Sequence, residues 1–202
     1  MGIVRADMSI TLDGYAAGPH QRLEAPFGDI DEDRLHAWMF DHGDEHRAEV
    51  DAIVGAGAYL MGRSMFVPGT GPWDPEWRGW WGEDPPYHGP VFVLTHHERD
   101  PLPMEGGTTF HFVTDGPEAA MALAREAAGE EDISIAGGAT TLNQYLALGL
   151  VDELRLHVVP RTAGVADGSR VFADVPALDF EVSHLRHSPQ VTHLSLRRQS
   201  DG

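Results

Sequence analysis

Apolar and small polar residues alternate through Met8-Ser9-Ile10-Thr11-Leu12, the pattern of a half-buried strand. Asp13-Gly14 breaks it, Tyr15-Ala16-Ala17 resumes it, and Gly18-Pro19 ends it. Leu35, Trp38 and Met39 then recur at helical spacing behind Asp29, Asp31, Glu32 and Asp33. Carboxylates at a helix start complement the macrodipole, so that acidic cluster reads as structural. Residues 51–58 read as a helix end or turn, and Tyr59-Leu60-Met61 as a short strand. Gly62-Arg63-Ser64-Met65-Phe66 follows as a strand-to-helix turn. The apolar run Val91-Phe92-Val93-Leu94-Thr95 suits a buried strand. Residues 110–114 predict another strand, and 118–128 an Ala-rich helix closed by Gly129. Residues 152–159 alternate as a strand until Pro160 stops it. Residues 180–186 and 191–198, joined through Ser188-Pro189, predict a terminal hairpin.

The chain is organised around Ile133-Ser134-Ile135-Ala136-Gly137-Gly138-Ala139-Thr140-Thr141-Leu142. An apolar, β-branched strand stops at a Gly pair, and a helix starts there and runs to Gly149. Two glycines remove the Cβ atoms that would keep a ligand from the backbone. The first turn of the helix offers N–H groups with no intrahelical partner, a ready seat for phosphate. The stretch reads either as a pyrophosphate cradle or as a strand–helix turn with Gly chosen for close packing.

Residues 68–90 are punctuated by Pro and Gly and hold four of the five Trp, including Trp73, Trp77, Trp80 and Trp81. So many aromatics in an irregular stretch predict a packed lid or an oligomer contact. Strands alternating with helices, then a closing antiparallel pair, predict one α/β layered domain over 1–202 with a mixed sheet.

Composition narrows the chemistry. The net charge of −18 over 202 residues argues against nucleic acid and anionic membranes as partners. There is no Cys, which removes thiol nucleophiles and Cys-based metal sites. All 14 basic residues are Arg, so a Walker A loop and Schiff-base chemistry are excluded as well. Gly55-Ala56-Gly57 does not follow a strand and lacks the third Gly of a dinucleotide fingerprint. No Gly-x-Ser-x-Gly elbow, membrane-length run or apolar leader occurs, so a cytoplasmic location is expected.

Four segments in order carry a resemblance: residues 9–18, residues 60–63, residues 135–140 and residues 148–154. Through them the chain resembles the dihydrofolate-reductase-like superfamily, most closely the reductase domain of the riboflavin-biosynthesis deaminase-reductase and its stand-alone relatives. The resemblance implies a three-layer α/β/α fold around a central mixed, mostly parallel sheet with a C-terminal antiparallel hairpin. It also implies an NADPH-dependent reductase, usually a homodimer, that transfers a hydride to a C=N or C=O of a small polar or heterocyclic substrate. Gly137, Gly138, Ala139, Thr140 and Thr141 would hold the cofactor diphosphate. Gly62, Arg63 and Ser64 would lie at its adenosine-phosphate end, Thr95 and His96 beside adenine and ribose, and Ala17 and Gly18 beside the nicotinamide. An acidic chain that binds a polyanion needs a local reversal of sign, which Arg63 and the His96-His97-Arg99 group supply.

The substrate half departs from the family pattern. Tyr15 stands where the riboflavin enzyme commonly has Lys, and Thr140 or Thr141 replaces an acidic residue past the glycine pair. Those changes leave a second reading open: a catalytically lapsed NADP(H)-binding module with a sensing or assembly role. Asp13, Tyr15 and Trp73 are the substrate-side candidates, although Asp13 serves equally as a turn former. Asp31 and Asp33 are the nearest helix-borne carboxylates, and no catalytic acid is identified. His42 and His46, four apart, could ligate a metal, as could His96-His97. The first pair lacks the general base and third ligand of a zincin and reads as a solvated helix face, and the second reads as the polar end of a strand beside a nucleotide, so no metal is expected.

Overall fold

The computed structural model describes residues 2–69 and 74–199. Eleven strands run as β1 (Val4–Ile10), β2 (Tyr15–Ala17), β3 (Ala58–Gly62), β4 (Pro90–Leu94), β5 (Leu102–Pro103), β6 (Thr109–Val113), β7 (Ile133–Gly137), β8 (Glu153–Val158), β9 (Ser169–Arg170), β10 (Phe180–His187) and β11 (Thr192–Arg198). The α-helices are α1 (Glu32–Phe40), α2 (Arg47–Ile53), α3 (Arg63–Phe66), α4 (Pro117–Ala128) and α5 (Ala139–Ala147). Nine strands form one sheet in the order β10-β11-β8-β1-β7-β3-β4-β6-β5, while β2 and β9 pair separately. The six strands from β8 to β6 are parallel; β5, β11 and β10 are antiparallel additions at the two edges. This is the expected mixed, mostly parallel sheet with its closing hairpin.

Helices cover both faces. On one, Ala120, Met121 and Ala124 of α4 and Leu142, Tyr145 and Leu146 of α5 pack on Ala6, Leu60 and Ile135. On the other, Leu35 and Trp38 of α1 join Val159 and Val191, while Phe66 of α3 joins Tyr59, Met61 and Val93. The local chemistry matches these boundaries. Asp31 caps α1 by accepting from the Arg34 N–H at 3.2 Å, with Glu32 and Asp33 in its first turn. Pro117 opens α4, and Gly129 ends it at a positive φ of 61°.

Two expectations are corrected. The first strand spans Val4–Ile10 and is not half-buried: Asp7 and Ser9 are covered as fully as Met8, because α1 and α2 lie over its second face. The described part of the Trp-rich stretch packs on the residues of α3 and on the sheet. Trp77 Nε1 donates to the Phe66 carbonyl (2.8 Å), Trp80 Nε1 donates to Met65 (3.1 Å), and Trp81 stacks on Phe110. Second, His46 does not face solvent beside His42; it is fully buried.

Candidate functional site

The sheet order β1-β7-β3-β4 sets four parallel strand ends side by side. Onto those ends open Ala17-Gly18 beyond β1, Gly137–Thr141 beyond β7, Gly62–Ser64 beyond β3, and Thr95-His96 beyond β4. Ligands of open parallel sheets bind outside the carboxyl ends of strands. The segments singled out in the sequence are thereby brought to one edge of the molecule. Trp73 lies outside the described residues.

At the centre, Gly137 has a φ of +125° and is joined to Gly138 by a cis peptide. A Cβ built on Gly138 would meet no atom within 4 Å, so the space in front of this backbone is open. Gly138 caps α5 without any side-chain cap bond, leaving the first-turn N–H groups without a side chain placed to receive them. Thr140 is exposed, while Ala139 and Thr141 are buried. The Thr141 hydroxyl turns onto β3, where a Cβ on Gly62 would come within 2.2 Å of its Oγ1. Two of the predicted segments are thus fitted to each other.

Beyond β3, Ser64 is exposed and Arg63 is half-buried. Arg63 Nη1 donates to the Gly69 carbonyl, tying the loop after α3 to the site. Thr95 is buried, and its Oγ1 accepts from the His97 N–H at 3.1 Å; His96 is exposed next to it. On the other side, Gly18 packs so closely on residues 29–30 that a Cβ there would lie 3.0 Å from both backbone nitrogens.

Asp13 ties the β1–β2 turn together. Its Oδ1 accepts from Thr11 Oγ1 at 2.6 Å and from the Ala163 N–H at 2.9 Å. The Thr11 hydroxyl, ahead of the other contacts, holds its carboxyl below the ordinary range. Tyr15 is buried with the Arg170 guanidinium 5.2 Å over its ring, so its side chain is packed into the fold. Sequence reasoning missed Asn143. From inside α5, its Nδ2 donates to the Arg170 carbonyl and its Oδ1 accepts from the Phe172 N–H, both at 2.8 Å. The helix that carries the cradle therefore also holds β9, and through it β2 with Ala17.

The sequence matches the RibD C-terminal domain model over residues 3–194. The chain belongs to the RibD C-terminal domain family. Its fold is similar to that of Acinetobacter baumannii RibD (TM-score 0.60, 18% identity, 98% of this chain and 58% of that one). It is also similar to a pyrimidine reductase-like protein from Corynebacterium diphtheriae (0.57, 16%, 99% and 93%). Dihydrofolate reductase from Enterococcus faecalis, complexed with NADP(H), is similar as well (0.58, 14%, 98% and 98%). At these identities the likeness is one of fold. No curated protein matches the sequence. Among the described residues, no helix is long and apolar enough to cross a membrane.

This RibD C-terminal domain also contains a buried polar network that its sequence did not announce. His157 of β8, His193 of β11 and His46 ahead of α2 stand in single file under Trp38. Their sequence separation hides them, and each strand position reads as an ordinary polar alternation. His46, Glu49 and His193 could bring ligand atoms within 4.8 Å of one another. Arg186 Nη1 already sits among them, 2.9 and 3.0 Å from the Glu49 oxygens and 3.2 Å from His46 Nδ1. The guanidinium thus stands where a metal cation would have to be.

Proposed function

We propose that this domain is an NADPH-dependent reductase that delivers a hydride to a C=N or C=O of a small polar or heterocyclic substrate of the pterin or ribosylaminopyrimidine kind. The observation that carries the reading is the bare backbone at Gly137-Gly138 leading into an uncapped helix start. Backbone donors aimed from a helix N-terminus suit a diphosphate. Gly138, Ala139 and Thr140 would hold that group, with Arg63 and Ser64 toward the 2′-phosphate and Thr95-His96 beside adenine and ribose. Ala17 and Gly18 would border the nicotinamide. The relatives support the same reading: one similar fold is a dihydrofolate reductase complexed with NADP(H), and another is a pyrimidine reductase-like protein.

When bound, the reduced nicotinamide supplies the hydride. The protein's part is to align donor and acceptor carbons and keep bulk water out. Tight packing of Gly18 on residues 29–30 and the Asn143 clasp on β9 give that end of the site its rigidity. Homodimerisation and a cytoplasmic location belong to the same reading.

Titration with NADPH followed by fluorescence, then NADPH oxidation against a panel of pterins and aminopyrimidines, tests it. Binding with turnover is expected. Arg63→Ala should weaken NADPH about tenfold more than NADH, one phosphate contact being worth roughly 1.4 kcal/mol. Failure to bind NADPH sinks the reading, and binding without turnover favours the lapsed module.

A further inference from the structure

The two edges of the nine-stranded sheet are built differently. At one, β5 is two residues long and includes Pro103, which has no N–H to offer a further strand. A short edge carrying Pro is one way folded proteins keep other chains from adding to a sheet. At the other, β10 runs for eight residues without Pro, and among the described residues no strand lies on its outer side. Residues 181–185 are all exposed, and Val182 and Leu185 are each 57% exposed. A long, open edge with apolar side chains is a template for another strand.

A bulge decides which side chains of β10 share a face. Val182 pairs with Leu196 but Leu185 with Leu194, so Ser183 is one residue too many for the ladder. Directly opposed residues lie on the same face. Leu194 and Leu196 pack against the core cluster that contains α4 and α5. Val182 and Leu185 therefore both stand on that side, although residues three apart in an unbroken strand take opposite faces. Glu181 pairs with Arg197 and Arg186 with His193, which puts these two on the other face.

This edge is its own complement. A two-fold axis perpendicular to the sheet, between residues 183 and 184, lays a second β10 antiparallel to the first. Val182 then falls opposite the partner's Leu185, and Leu185 opposite the partner's Val182, all on the α5 side. Glu181 falls opposite the partner's Arg186 on the other face. Arg186 is fixed by Glu49 and the Glu45 carbonyl, yet its side chain is 37% exposed and open to a carboxylate from outside. Apolar meets apolar and acid meets base. Without the bulge, residues 182 and 185 could not oppose each other with the faces kept.

Charge favours the same surface. The chain carries −18, so two copies repel over most of their area. The hairpin, residues 180–198, holds one acid, Glu181, against Arg186, Arg197 and Arg198. A cationic hairpin alone would suit any anionic partner; the residue-by-residue match selects a second copy.

We propose that β10 is the contact of a two-fold homodimer in which the edge strands of two copies pair antiparallel and join their sheets. The interface is isologous, the same strand serving on both sides. The proposal rests on the reading above only for the expectation of a homodimer, and not on the hydride chemistry.

Sedimentation velocity of the full chain tests it, with circular dichroism to confirm folding. The wild-type protein should sediment as a dimer. Val182→Arg and Leu185→Glu change exposed side chains, and each sets a charge against an apolar residue twice across the axis. Each variant alone should sediment as a folded monomer. Mixed in equal amounts, the two should dimerise again. The new cation of one then faces the new carboxylate of the other, while the remaining Leu185 and Val182 meet as before. Should either variant misfold, Glu181→Arg repeats the test from the other face. It opposes two cations at each end of the contact and should also give a monomer. A monomeric wild type overturns the proposal. So does a single variant that still dimerises, or a mixture of folded variants that stays monomeric. NADPH titration of the same samples separates the two readings. A monomer that binds and oxidises NADPH removes the interface and leaves the reductase, and a dimer that does not bind NADPH does the reverse.

Discussion

Thr141 Oγ1 stands 2.2 Å from the point where a Cβ on Gly62 would lie, so the cradle helix fills the space that a side chain would take at the end of β3. Gly62→Ala should therefore destabilise the domain by about 1–3 kcal/mol, the usual cost of forcing volume into a packed contact. Removing the obstructing hydroxyl in Gly62→Ala/Thr141→Ala should recover part of that loss. Urea denaturation of the four species gives the coupling directly. Additive effects would mean that the two residues do not meet.

Gly138 offers the opposite test. A Cβ there meets nothing within 4 Å, so Gly138→Ala places a methyl group in the open space of the cradle. The expected outcome is an unchanged far-UV circular dichroism spectrum with NADPH binding weakened at least tenfold. An alanine variant that binds the cofactor normally would show that the diphosphate does not approach this backbone.

The contrast between these glycines also shows what a sequence can reveal. Gly137-Gly138 was legible because a β-branched run, a Gly pair and a Thr-led helix are adjacent in the chain, and their local chemistry survives folding. The four strand-end segments were legible for the same reason, each being its own turn. The histidine file was not. Asp7 and Ser9 sit in a strand that alternates, and an alternating strand reads as having one wet face. Only the placement of α1 and α2 over β1, β8 and β11 dries that face and joins His46 to His193. Tyr15 misled in a similar way: read as a substrate contact, it is buried beneath Arg170 because β9 returns to pair with β2.

Asn143 should matter to stability and function together. Its two hydrogen bonds go to the backbone of Arg170 and Phe172 from a buried position, and truncation strands both backbone partners. Asn143→Ala should cost about 1–3 kcal/mol. Amide exchange should accelerate at Phe172 and along β9, and at Tyr15–Ala17, while β4 and β6 keep their protection. Equal protection of β9 in the variant would remove the clasp from the account.

Acid should loosen the layer formed by α1 and α2. Burial, outweighing a backbone contact with Glu32, draws His36 from 6.5 down to about 4, and its ring packs beside Phe27, 4.6 Å away between ring centroids. His193 is drawn down to about 4 by burial and then by His157. Between these values and 6.5 the unfolded chain binds protons that the folded one refuses. Stability is therefore complete above about pH 6.5 and falls as pH drops toward 4. At about 1.4 kcal/mol per pH unit of displacement, His36 alone accounts for a loss on the order of 2–3 kcal/mol by pH 4. Urea midpoints at pH 7, 5.5 and 4.5 measure the slope. His36→Phe keeps the ring's volume and removes the titrating group, so its curve should be visibly flatter across that window. Parallel curves for the two proteins would show that His36 is not the buried base that its packing implies.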